Sequence, residues 1–319
     1  MQVTAATTMC ANQVGIMNKI LLAHAAAAAA ALSAGTAVVA TRFVIGETDP
    51  ISLVFYRYLI SIICFAPIMP MLWPRERLNA VEYAKIAMFG ILFFVLFPWT
   101  FNAALQYNAA ARGAVGLATI PIQTLLVAAA FGRERLTVAK AAGVLLAFFG
   151  IAVAFGATAF GRANDSYLYG DFLMLLSGLC AAVYSVFGRP TLMRYGPLFV
   201  TALAMTFAVA ALLPVVVAKN GGFILPAFSF NGWMAILFLG TIAGALQFSL
   251  YMWALRWLPP TTTTLYLTLN PITAMILGIG LLGEKLTLEL VAGMALVLIG
   301  ILVGSGMYSA WRSAAPVVK

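Results

Sequence analysis

The sequence predicts an all-α polytopic membrane protein, with ten transmembrane helices as two inverted five-helix repeats around a central cavity. Three observations carry that prediction. The 319 residues are 64% hydrophobic and only 8% charged, with a mean hydropathy of +1.03. Ten apolar runs follow one another with short joints. The phrase at residues 115–137 returns, in altered form, at 265–287.

A soluble domain carries about 25% charged residues. At 8% there are too few to cover a water-facing surface, so lipid is the main solvent. The net charge of +9 then bears on orientation and anionic lipid, not on nucleic acid. A spanning helix needs about 20 apolar residues. Candidates lie at 20–42, 50–73, 82–105, 109–131, 137–157, 170–189, 197–218, 231–256, 261–282 and 287–308. The joints carry turn signals such as GETDP, WPRERLN, GRERLT, AKNGGFILP and WLPPTT. Residues 1–19 read as a loose tail, 20–157 as the first repeat, 158–169 as a linker, 170–308 as the second repeat and 309–319 as a second tail. Span 1 has the Lys, apolar stretch and small residues of a signal peptide. Its apolar run continues to Val39 and the repeat requires it, so it is read as a helix. Cys10, Cys64 and Cys180 have no metal spacing, and the last two read as inert packing residues.

Ten spans put both termini on one side. Lys19, Arg75, Arg77, Lys85, Arg133, Arg135, Lys140, Arg189, Arg194, Arg256, Arg312 and Lys319 fall on that side. Arg42, Arg112, Arg162, Lys219 and Lys285 fall on the other, and Arg57 lies inside a span. Under the positive-inside rule the termini are cytoplasmic.

An offset of 150 lays Pro121 on Pro271, Glu134 on Glu284, Gly143 on Gly293 and Gly150 on Gly300. Earlier helices match at 147, Arg42 with Arg189 and Pro67 with Pro214. Five helices per copy is odd, so the second copy enters the membrane upside down. Inverted repeats are the architecture of secondary transporters, with a site near the midplane between the halves.

These features resemble the drug/metabolite transporter superfamily, EamA type: two five-helix repeats, the Arg of FYRYL, and the paired phrases P…GRERLT…G…G and P…GEKLT…G…G. Within it the chain is similar to the YddG-like amino-acid exporters. The resemblance implies movement of small metabolites across the bacterial inner membrane.

Polar side chains deep in lipid are costly and usually face the bundle interior. Helical stripes hold Trp99, Asn102 and Gln106; Gly116, Thr119 and Gln123; Gly240, Gly244, Gln247 and Tyr251; and Thr263, Tyr266, Asn270 and Thr273. Ser33, Thr36, Ser177, Tyr184 and Ser185 add to them, although a Ser or Thr can instead bond its own helix. Helices 1, 3, 4, 6, 8 and 9 are therefore expected to line the cavity, with 5 and 10 outside. The candidate substrate-binding residues are Trp99, Asn102, Thr119, Gln123, Tyr184, Gln247, Tyr251, Tyr266 and Asn270. Pro121 and Pro271 each remove a backbone donor and crowd the carbonyl of Leu117 or Leu267. The glycine pairs read as helix packing. Arg57 is expected to snorkel or to pair with Glu47 or Asp49, with substrate carboxylate as the sharper option, and Ala204 stands at its place in the second copy. His24 is expected to be solvated or interfacial.

All nine acidic residues fall in loops or at helix ends. That pattern speaks against an embedded-carboxylate proton antiporter and against polycationic substrates. Neutral or zwitterionic solutes fit, amino acids including aromatic ones among them, carried by alternating access without coupling. Carriers of nucleotide sugars, phosphate esters or drugs, a passive channel, or an intramembrane enzyme are the alternatives. An enzyme would need a nucleophile with its base, a carboxylate pair or metal ligands. No catalytic residue, metal or cofactor is expected. The partners are a small-molecule substrate and membrane lipid, with no nucleic acid and the oligomeric state open, a monomer included.

Overall fold

The computed structural model describes residues 2–42, 44, 47–107, 116–159, 165–220, 227–282 and 288–305. Arg112, Arg162, Glu284, Lys285, Arg312 and Lys319 lie outside the described residues, as does the side chain of Gln106.

Among the described residues ten helical rods follow in the predicted order, and no strand occurs. α1 is Gln2–Arg42, and α2 is Pro50–Phe65 with a further turn at Met69–Leu72. α3 joins Ala80–Ile91, a π-turn at Leu92–Leu96 and Phe97–Tyr107. α4 is Ile120–Ala130, α5 Val138–Ala159, α6 Asp165–Tyr195 and α7 Pro197–Asn220. α8 joins Phe230–Gly240, a π-turn at Thr241–Leu246 and Gln247–Trp257. α9 joins Pro260–Leu265, a 3-10 turn at Tyr266–Thr268 and Leu269–Leu282, and α10 is Leu288–Gly304.

Five described stretches are long and apolar enough to cross a bilayer: Met17–Ala37, Ala80–Ala104, Leu168–Tyr195, Pro197–Lys219 and Phe230–Trp257. Pro50–Phe65, Ile120–Ala130, Val138–Val153 and Val291–Gly304 are apolar but shorter. The set is compatible with ten spans. Two expectations shift. Residues 2–19 join α1 rather than forming a loose tail, and they hold no Pro to break it. α6 likewise starts at Asp165, within the expected linker.

The repeat extends to the irregularities. The π-turns of α3 and α8 occupy matching positions, and a π-turn inserts one residue into the helical ladder. A turn at 118–119 leads into α4 and a 3-10 turn at 266–268 interrupts α9, in each case just before the matched proline. Neither Pro121 nor Pro271 can donate to the ladder, and each ring crowds the turn behind it. Both breaks follow from that chemistry.

α5 and α10 pack directly together. A Cβ on Gly150 would lie 2.7 Å from the Gly293 carbonyl oxygen, and one on Gly300 would lie 2.6 Å from that of Gly143. The backbones therefore touch, as small residues permit between helices in lipid. Neither helix reaches the central cavity described below.

Side-chain ties close the two ends of the bundle differently. The terminal end carries Lys19 and Trp257, with the Lys19 ammonium 5.2 Å from the indole centre. There the carboxylate of Glu134, after α4, accepts from Lys140 Nζ at 2.6 Å and from the Thr261 amide of α9 at 2.9 Å. At the far end Asp49 caps α2, accepting from the Ile51 amide at 3.0 Å, and pairs with Lys219 at 2.9 Å. Glu47 accepts from the Ser229 amide and hydroxyl, both at 2.7 Å. Those bonds hold its carboxyl below the usual carboxylate range.

Candidate functional site

Between the repeats lies a cavity of about 260 Å³. α1 makes room for it with Ala30, Ala34 and Ala37, which stand on one face at helical spacing. α3 contributes Phe93, Phe97 and Phe101, one turn apart, together with Pro98 and Asn102. Leu117 and Ile120 of α4, and Leu267 and Asn270 of α9, line it beside the two helix breaks. α8 supplies Gln247, Phe248 and Tyr251, and α2 supplies Leu53, Val54, Arg57 and Tyr58. The cavity is thus walled by aromatic rings and dotted with amides.

An aromatic layer forms its floor toward the terminal end. Phe93 stacks on Tyr184 with centroids 4.5 Å apart, and the Tyr251 hydroxyl lies 2.9 Å from that of Ser185. The Tyr184 hydroxyl is buried without a partner. Toward the far end the lining reaches Thr41 and Leu53. The pocket is therefore displaced from mid-bundle toward that end.

Of the nine candidate residues, Asn102, Gln247, Tyr251 and Asn270 line the cavity. Gln247 is 8% exposed, and its carbonyl oxygen has no partner. Tyr184 lies one ring behind the lining, under Phe93. Trp99 points away from the lining and is 48% exposed. Thr119 donates to the Gly116 carbonyl at 2.6 Å and accepts from Gln123 Nε2 at 3.1 Å. The Gln123 amide lies over Gly178 of α6, where a Cβ would come within 2.9 Å of it. That polar pair stands at the α4–α6 contact rather than on the cavity. Tyr266 faces α1, with its hydroxyl 2.9 Å from His24 Nδ1.

Several sequence expectations change. His24 is not solvated: it is 6% exposed and bonded to Tyr266, a partner 242 residues away. Arg57 does not snorkel, and it pairs with no acid among the described residues. Glu47 and Asp49 are engaged at the far end, and the Arg57 guanidinium turns inward, donating from Nη2 to the Ala243 carbonyl in the π-turn of α8. α2 therefore joins the lining helices, which the polar stripes did not foretell. Of the cysteines, Cys180 is buried but Cys64 is exposed. No cluster of metal-ligating side chains occurs among the described residues.

Among the described residues the lining mixes one cation, neutral amides and aromatic rings, with no carboxylate. It suits noncovalent capture of a small solute.

Several known proteins are similar. The model of the EamA-like transporter family matches at residues 21–156 and again at 168–305. An uncharacterized transporter of Archaeoglobus fulgidus is 27% identical over 84% of this chain and 92% of its own. The uncharacterized inner membrane transporter YedA of Escherichia coli K12 is 28% identical over 73% of each chain. A probable terminal-alkyne amino-acid exporter of Streptantibioticus cattleyicolor is 28% identical over 66% of this chain and 68% of its own. A chain solved by crystallography shares the fold with a TM-score of 0.74 at 20% identity, covering 92% of this chain and 99% of that one. With both of its repeats matched, this multi-pass membrane protein belongs to the EamA-like transporter family, in keeping with the drug/metabolite transporter superfamily that its sequence resembles.

Proposed function

We propose that the chain carries small neutral or zwitterionic metabolites, most simply amino acids including aromatic ones, across a bacterial inner membrane. It does so as a uniporter or exporter, by alternating access, without catalysis. Both termini lie in the cytoplasm on this reading, so the far end faces outward. The five-helix units 20–157 and 170–308 rock against each other around the site. Asn102, Gln247, Tyr251 and Asn270 contact the solute, and Tyr184 backs the floor.

The observation that carries this reading is the cavity between the halves, closed by an aromatic floor at one end and lined up to Thr41 at the other. Amides at its wall offer both donors and acceptors, and the rings offer an apolar surface with stacking faces. Similarity to a probable terminal-alkyne amino-acid exporter supports the choice of solute. No carboxylate among the described residues lines the wall to carry a proton, which favours movement down the solute gradient.

Purified protein in liposomes should take up labelled amino acids at equal rates with and without a pH gradient. Asn270→Ala and Gln247→Ala should each lower uptake by about tenfold, the worth of one neutral hydrogen bond, with the yield of folded protein unchanged. Wild-type rates in both variants would remove the cavity from the transport path. Uptake that required the gradient would overturn the uncoupled mechanism.

A further inference from the structure

Arg57 is the feature of the cavity that the amino-acid reading leaves unused. Its guanidinium has one fixed partner, the Ala243 carbonyl, and its Nε is buried with none. The rings of Phe248 and Tyr58 stand 5.7 and 5.8 Å from the guanidinium carbon. No acidic residue among the described ones lines the cavity, and the acids nearest in sequence are spoken for: Glu47 by Ser229, Asp49 by Ser52 and Lys219. A cation held inside a bundle without a counter-ion is costly, and such groups pair or mark a ligand path. The repeat gives no structural reason for it, since the matched position holds the buried Ala204, packed against Gly90.

The same cavity offers an ammonium group much less. Its acceptors are neutral: the unpartnered Gln247 carbonyl oxygen and the amides of Asn102 and Asn270. The charge already present repels a second cation. One guanidinium also matches one negative charge rather than two, and its fork geometry fits the paired oxygens of a carboxylate. Phe93, Phe97 and Tyr251 leave an apolar, aromatic place for the body of the solute. At about 260 Å³ the space is below the usual range for a drug-sized ligand.

We infer that Arg57 binds the carboxylate of the solute, that the site selects small monocarboxylates with an apolar or aromatic body, and that an α-ammonium group is dispensable. This deepens the amino-acid reading and rests on it only for the site. Amino acids enter by their carboxylate. Aryl or branched-chain acids without an amino group enter equally well, and amines without a carboxylate are excluded.

The test uses the full chain in liposomes and in detergent. Labelled L-phenylalanine uptake is competed with 3-phenylpropionate, phenethylamine and phenyl phosphate. The shift in melting temperature caused by each compound gives a second readout, independent of transport. The acid should compete within about threefold of unlabelled phenylalanine, and the amine about thirtyfold more weakly or worse. Phenyl phosphate, with a second charge that nothing neutralises, should also compete poorly. Arg57→Gln should abolish the melting shift caused by 3-phenylpropionate. Should that variant not fold, Arg57→Lys keeps the charge, loses the fork and should weaken the acid about tenfold.

Phenethylamine competing as well as the acid would overturn the inference while leaving amino-acid transport intact. So would an unchanged affinity for the acid in the Arg57 variants, or a preference for phenyl phosphate. Protein that carries no amino acid, yet is stabilised by 3-phenylpropionate through Arg57, would refute the amino-acid reading and uphold the carboxylate site. No response to any of the four compounds would refute both.

Discussion

Gly150→Leu is expected to lower the stability of the folded protein by about 3 kcal/mol, at the upper end of what overpacking usually costs. The expected cost is high because of what stands opposite. A Cβ at that position meets the Gly293 carbonyl oxygen at 2.7 Å and the Val297 amide nitrogen at 2.8 Å. Both are backbone atoms of a helix, so neither can swing aside as a side-chain tip would. The two helices must separate along their length, and lipid gives them no hydrophobic reason to return. Melting in detergent, followed by loss of the monodisperse species, measures the effect. Leu145→Ala on the same helix is the control: Leu145 is 48% exposed, so its loss should move stability by no more than about 0.5 kcal/mol. Equal melting of the Gly150 variant and wild type would show that the contact is not a close one.

Glu134→Ala is expected to loosen the terminal end of the bundle. The carboxylate satisfies the amide of Thr261, a residue only 1% exposed, and neutralises Lys140. Removing it strands a buried donor, worth about 1–3 kcal/mol, and leaves a cation unpaired. That energy sits in one contact between the halves, from the α4–α5 joint to the start of α9. The conformation in which this end is shut should therefore lose about tenfold or more in population relative to one in which it is open. A cysteine placed at Thr263, a fully buried position, reports the change in a background lacking Cys10, Cys64 and Cys180. Its labelling in detergent by a charged thiol reagent should accelerate about tenfold in Glu134→Ala. Equal labelling rates would mean that other contacts hold this end closed.

The fold was legible because two of its causes are written in the chain without reference to distant neighbours. Scarcity of charge calls for lipid, and the doubled phrase calls for two copies of one unit. The prolines at 121 and 271 announced their breaks for the same reason, since the missing N–H is local to the residue. The site was only partly legible. A polar stripe shows that one face of a helix is polar; it does not show which neighbour that face meets. Asn102, Gln247, Tyr251 and Asn270 meet the cavity, whereas Thr119 and Gln123 meet α6 and Tyr266 meets α1. Arg57 was the larger omission. An arginine seven residues into an apolar run has several outlets, and the choice among them is made by a carbonyl 186 positions away. The lack of any free acid within reach was the signal, but it becomes one only once Glu47 and Asp49 are seen to be occupied.

The lone guanidinium has a counterpart only in Ala204, so the duplicated halves are not equivalent as hosts. On the alternating-access mechanism proposed above, the two halves exchange geometries in each turnover, but the positive charge stays with the first. The inward and outward forms are then not mirror images, and they hold the same cargo with different strength. If transport is uncoupled as proposed, the fluxes must balance when concentrations are equal, so the weaker-binding face must also be the faster one at saturation. Half-saturation measured from opposite sides of one membrane should differ, and the ratio of maximal velocities should differ by the same factor.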